Sequence, residues 1–446
     1  MEEEFVRLAW PVAVAVSVWP AFAQYAGPAI LSRGDAPAAM SSAQVDFRPF
    51  VNVAGIYSAG LSGLQQTSQG AVTLGNLSSF GSLLSFGVSG LHSWKHTKLG
   101  LDYLGSISHY FQSGTYGNFN NQSLLLSLTR ELTPHAMFTL RENASISSQP
   151  VPIPSLPQSA AYDPSSAYNP ITDYYDNRTT FLSTEAGLTF QKSARLSFQI
   201  SGMASVTERQ IAGLYSVTGA SATGDVQYRI SSHTTVGGTY TYNHFEFHGI
   251  FNATDVQSVS GTYAKRLTRS LELSAYGGFS RNQTKFLTSL PISPAIGLLL
   301  GLRSAAVINY SSLYHPNYSA RLSQTFQRGV LFAMGSYSVS PGNGLFLTST
   351  AINGSTGYNY TGLRLWSIGA TAGYTRSKSI SNVVGEYADF IGTLSLSRQL
   401  THYLHLTSTV SAVKYQSNSF SGYNRLTYNA NLGLAFSPGN VPLRLW

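Results

Sequence analysis

Residues 194–206, ARLSFQISGMASV, put Leu196, Phe198, Ile200, Gly202, Ala204 and Val206 on one face and Arg195, Ser197, Gln199, Ser201, Met203 and Ser205 on the other. A period of two over a dozen residues belongs to a β-strand with one apolar and one polar side. The pattern recurs at 271–280, where Leu271, Leu273, Ala275, Gly277 and Phe279 oppose Glu272, Ser274, Tyr276 and Ser280. It recurs at 426–436, where Leu426, Tyr428, Ala430, Leu432, Leu434 and Phe436 oppose Thr427, Asn429, Asn431 and Gly433.

Short polar breaks, each with a basic residue nearby, separate these runs. They read SLTRELTPHAMFTL (127–140), TFQKSARLSFQI (189–200), TYAKRLTRSLELSA (262–275) and SLSRQLTHYLHLTSTV (395–410). Alternation, break, alternation is a β-hairpin. Breaks fall near residues 96, 132, 193, 232, 267, 328, 367 and 400. Between them lie two strands and one longer connection, which gives about 18 strands, with 16–18 as the range. The two widest intervals hold long loops at 149–177 and 287–315.

These strands do not suit a soluble sandwich, whose strands usually run about 5–6 residues and carry charge on the outer face. Only 10% of residues are Asp, Glu, Lys or Arg, against roughly 25% in soluble domains. Aromatics reach 12%, with 27 Tyr, and mean hydropathy is −0.01. Strands of a dozen residues are long enough to cross a bilayer when tilted, which takes about 9–11. Lipid offers no partner to an edge strand, so such a sheet must close, with its apolar face outward and its polar face lining the interior. The fold class expected is all-β, a closed antiparallel transmembrane β-barrel. Aromatics near strand ends (Trp94, Tyr240, Tyr242, Phe245, Phe247, Tyr358, Tyr360, Trp366) fit interface girdles.

Residues 1–23, MEEEFVRLAWPVAVAVSVWPAFA, hold an apolar stretch ending in Ala21-Phe22-Ala23, the small-x-small pattern of a signal peptide. Residues 24–45 lack alternation and read as an N-terminal extension. The barrel is expected over 46–446. There is no Cys, which removes disulfides and thiolate metal sites.

Taken together, the leader, the absence of Cys, the long alternating strands, the short turns and the aromatic Trp446 resemble a bacterial outer-membrane β-barrel of the porin-like type. The break Ser437-Pro438-Gly439-Asn440 before VPLRLW departs from the usual uninterrupted final strand. The resemblance implies an outer-membrane location. It also implies outer-membrane lipid and lipopolysaccharide, barrel assembly machinery and small polar solutes as partners. The formal charge of +8 does not gather into aromatic-interleaved basic clusters, so nucleic acid is not expected. Oligomeric state stays open.

No enzyme signature emerges: there is no GxSxG and no phosphate loop. His92 and His96, four apart on a strand and turn, share no helical face, so neither a metal nor a cofactor is expected. The functional candidates are charges on polar faces. A lipid-facing Arg or Lys at mid-bilayer costs about 2–4 kcal/mol, so mid-strand charges should face the lumen. Asp102, Glu185, Arg195, Asp225, Arg229, Glu272, Arg321, Arg364 and Asp389 are the lumen-lining candidates. Glu142 falls on the apolar face, which calls for a bulge or a position above the bilayer. By analogy with the resembled proteins, the proline-rich third outer loop could narrow the barrel with Tyr162, Asp163, Tyr168, Asp173, Tyr174 and Tyr175. The apolar run 295–302 (AIGLLLGL) should pack against the barrel mouth or enter the lumen. The function expected is passive diffusion of small polar solutes, sugars among them. The alternative is a structural or export-associated barrel with a blocked lumen, for example in envelope polysaccharide secretion.

Overall fold

The computed structural model describes residues 47–66, 72–111, 119–147, 179–210, 215–291, 304–340, 347–360, 362–363, 365–380, 386–417 and 424–438. Its strands are β1 (Arg48–Gln66), β2 (Val72–Ser93), β3 (Thr97–Tyr110), β4 (Phe119–Thr133), β5 (Ala136–Ser147) and β6 (Thr179–Gln191). Next come β7 (Leu196–Arg209), β8 (Ser216–Ser231), β9 (Thr234–His248), β10 (Asn252–Arg266), β11 (Leu271–Pro291) and β12 (Ser304–Phe326). The last six are β13 (Gly329–Ser340), β14 (Ser349–Tyr360), β15 (Trp366–Ser379), β16 (Glu386–Gln399), β17 (Leu404–Ser417) and β18 (Arg425–Phe436). Each pairs antiparallel with its sequence neighbours, and β1 pairs with both β2 and β18. The sheet therefore closes on itself as a barrel of 18 strands. The leader, the extension, the proline-rich third outer loop, the run 295–302 and residues 439–446 lie outside the described residues.

The wall follows the sequence alternation. Ile200, Val259, Phe279 and Phe80 are 65–71% exposed, and their strand neighbours Ser201, Ser258, Ser280 and Ser79 are buried. Cross-strand pairs keep the faces in step, as in Leu394↔Val410 and Val410↔Ala430. A water-soluble monomer rarely shows apolar patches above a few hundred Å². A continuous outward apolar belt is the surface of a protein solvated by lipid.

A hydroxyl-centred turn explains the repeated breaks. In QKSARL, RLTRSL and QLTHYL, Ser193, Thr268 and Thr401 each accept the N–H three residues on, at 3.0 Å, from Leu196, Leu271 and Leu404. The N–H groups of Lys192, Leu267 and Leu400 donate to the carbonyls of the same leucines at 2.8–3.0 Å. The Ser or Thr satisfies a donor that the tight turn would leave orphaned.

The barrel seam has its own fastening. Arg48 Nε donates to Ser437 Oγ at 2.7 Å, and Arg48 Nη2 lies 3.0 Å from the buried His405 Nε2. Ser437 Oγ donates in turn to the Pro49 carbonyl at 3.0 Å. The polar break after β18 thus ties β1, β17 and β18 together at the short-turn rim. Higher in the seam, β1 shifts register between Ala59 and Leu61, where Gly60 takes φ +80°. A side chain there would be strained and would overlap the Leu426 carbonyl oxygen.

Two sequence expectations fail in the wall. Most of the anticipated loop 287–315 is strand: β11 runs to Pro291 and β12 starts at Ser304. Phe245 and Phe247 point inward, and Phe247 is only 2% exposed, so neither belongs to a lipid girdle. Tyr240 (48% exposed) does face outward. So do Tyr358 and Tyr360, whose rings stack at 6.3 Å, and Trp366, which lies under Arg398 at 5.0 Å.

Candidate functional site

The inner face carries charge at one level. Asp102, Arg141, Glu185, Asp225 and Arg321 all sit on inward positions of β3, β5, β6, β8 and β12. Each lies five or six residues in from the short-turn end, counted from Thr97, Ala136, Gln191, Ser231 and Phe326. At a rise of about 3.3 Å per residue and a tilt of about 40°, that level is on the order of 14 Å above the rim. Three acids on β3, β6 and β8 and two arginines on β5 and β12 thus share one mid-barrel belt.

Most belt charges are held. Arg141 Nη1 lies 3.9 Å from Glu185 Oε2 on the next strand. Thr239 donates a short hydrogen bond to Asp225. Asp102 bonds the opposing Ser89. Arg321 Nε on β12 finds no partner among the described residues. The amide of the nearly inaccessible Asn282, His315 Nε2 and Asn317 Oδ1, above it on β11 and β12, also lack partners there.

The remaining candidates sit elsewhere. Asp389 is buried on β16, hydrogen-bonded to Thr375 on β15, well above the belt. Arg195 is not mid-strand: it is exposed in the β6–β7 turn. Arg229 faces inward near the end of β8 and donates to the Ser231 carbonyl at 3.1 Å. Glu272 is the second residue of β11 and pairs with Arg266 Nε at 3.0 Å, at the rim. Arg364 and the loop residues Tyr162, Asp163, Tyr168, Asp173, Tyr174 and Tyr175 lie outside the described residues.

Glu142 meets neither expectation. The β4–β5 register is unbroken around it; the bulge lies lower, between Glu131 and Thr133. Glu142 faces outward at the level of the belt, opposite Leu126 and Thr184. Thr184 Oγ1 reaches both carboxylate oxygens, at 3.1 and 3.0 Å.

Sequence reasoning also missed a constriction. Thr348, just before β14, lies 2.7 Å, hydroxyl to hydroxyl, from Thr254 on β10, and Thr254 lies 3.1 Å from Thr284 on β11. Thr254 and Ser349 are 0% exposed. Thr348 and Ser349, at the start of β14, therefore lie across the inner face of β10 and β11 and narrow the barrel there. A second inward cluster, Ile56, Tyr110 and Phe119 with Leu83, packs on β1–β4, and Tyr110 bonds Ser58 at 2.8 Å.

No protein-family model and no curated protein matches the sequence. Solved barrels do match in shape. OpdQ of Pseudomonas aeruginosa is 8% identical, covering 90% of this chain and 98% of that one, with a TM-score of 0.38. A BenF-like porin from Pseudomonas fluorescens Pf-5 is 11% identical, with coverages of 88% and 99% and a TM-score of 0.39. The ferric-catecholate import receptor Fiu from E. coli K12 is 10% identical, with coverages of 86% and 81% and a TM-score of 0.41. Likeness at this level says nothing about what this chain carries.

Proposed function

We propose that the chain is a bacterial outer-membrane channel through which small polar solutes, sugars among them, diffuse passively. The observation that carries the reading is the belt of inward charges inside a lipid-facing barrel of 18 strands. At that strand number the interior is wide enough for an aqueous path unless segments fill it. Transport of this kind needs no catalytic step. In this reading the short-turn rim faces the periplasm, the leader directs export, and lipopolysaccharide and the assembly machinery are the expected partners.

A second reading is favoured by the β13–β14 tip and the Ile56–Tyr110–Phe119 cluster. Both close over part of the interior and would suit an export-associated barrel with a blocked lumen. Liposome swelling separates the two. Vesicles holding the refolded chain should swell in glucose and arabinose and not in a large oligosaccharide. Vesicles that stay inert in every sugar would favour the blocked barrel.

A further inference from the structure

β12 has a free edge. It pairs with β13 only from Tyr318 to Phe326, whereas it pairs with β11 along its whole length, from Ser304 to Gln324. Among the described residues, nothing pairs with the other edge of Ser304–Asn317. The cause is local. Pro316 lacks an N–H and cannot extend the β13 ladder. Above it the sheet divides: β13–β14 turns inward to Thr254, while β11–β12 continues beside β10 and, beyond Phe286 and Asn309, as a two-stranded ribbon.

β12 is bare on both faces here, although the inner side of β11 beside it is covered, with Ser280 and Asn282 buried. Tyr310 and Tyr314 on one face are 68% and 72% exposed; Val307 and Leu313 on the other are 43% and 40% exposed. From Ser304 to Ala320, SAAVINYSSLYHPNYSA, there is no Asp, Glu, Lys or Arg. Natural edge strands are usually blunted by charge, brevity or cover. Here Pro316 guards only the base. Every second residue of Ser304–Asn317 turns an unpaired N–H and C=O to the open side.

We propose that the β12 edge is a docking site for an extended, uncharged polypeptide segment, added as an antiparallel strand. The unpaired backbone row defines the ligand: only another backbone in β conformation matches its donors and acceptors. The alternating, uncharged side chains on both sides favour a segment that is itself alternating and uncharged. A second copy in the same membrane is the poorer occupant. Two identical edges pair only antiparallel, which would invert one barrel relative to the other. The inference does not depend on whether the lumen conducts.

The test uses the full refolded chain in detergent and a fluorescent peptide of about ten residues alternating Val and Thr. The control is the same peptide N-methylated at every second residue, which removes the donors on one edge. In a shortened variant, Leu287–Ile308 is replaced by Asn-Gly. Phe286 and Asn309 are already paired, so a two-residue turn keeps their register. Heat-modifiable gel mobility shows that the variant barrel is folded. Saturable binding of the plain peptide is expected, weakened on the order of tenfold by N-methylation and by shortening the ribbon. Three results would overturn the proposal: no saturable binding, equal binding of the methylated peptide, or dimers of the intact chain that the shortened variant does not form.

Discussion

Glu142 shows how one residue can break the barrel's pattern without breaking its register. Its side chain points to the lipid side at mid-depth but is only 9% exposed, and Thr184 donates a hydrogen bond to its carboxylate. An outward acid costs less than the roughly 2–4 kcal/mol of a lysine or arginine. Glu142→Leu should therefore stabilise the barrel by about 1–2 kcal/mol, and Thr184→Ala should lower its stability by about 1 kcal/mol, in urea unfolding from lipid vesicles. Unchanged midpoints for both would contradict the placement. Gly60 offers a second check: Gly60→Val meets both the positive φ and the Leu426 carbonyl, and should cost upward of about 2 kcal/mol or prevent assembly. The outward placement of Glu142 was legible from alternation alone. Its hydroxyl partner was not, because Thr184 is 42 residues away and meets it only through register.

Among the elements, the short turns were the most readable, since a Ser or Thr three residues before a Leu is a local signal. Thr268→Val and Thr401→Val should each cost about 1 kcal/mol, measured in the same unfolding assay. The upper part of β12 reads as loop for a physical reason: apolar side chains are exposed on both its faces, Tyr310 and Tyr314 on one and Val307 and Leu313 on the other, so the period-two signal fades. The β13–β14 tip escaped notice because a pair 94 residues apart leaves no trace in local pattern. Releasing that tip by Thr254→Ala with Thr348→Ala should raise conductance about twofold if it narrows the path. An unchanged conductance would place the restriction elsewhere.

At the scale of the whole molecule, closure, strand number and facing follow from hydrophobic alternation, and the sequence carried all three. The charged belt was legible only in part. Asp102, Glu185, Asp225 and Arg321 sit at a common level, but Arg195, Arg229 and Glu272 belong to turn or rim, and Arg141 went unremarked although it faces Glu185. Strand ends placed to within a few residues cannot fix a height of five residues, and height decides which charges share a belt. If the belt lines the path, replacing both arginines, Arg141→Gln with Arg321→Gln, should shift ion selectivity toward cations, read as a reversal potential across a salt gradient. The most direct test is single-channel recording of the refolded chain in a planar bilayer, with neutral sugars added to one side. The account predicts stable, stepwise conductance that sugars partially block. A barrel that is folded and inserted yet silent at every voltage would contradict it.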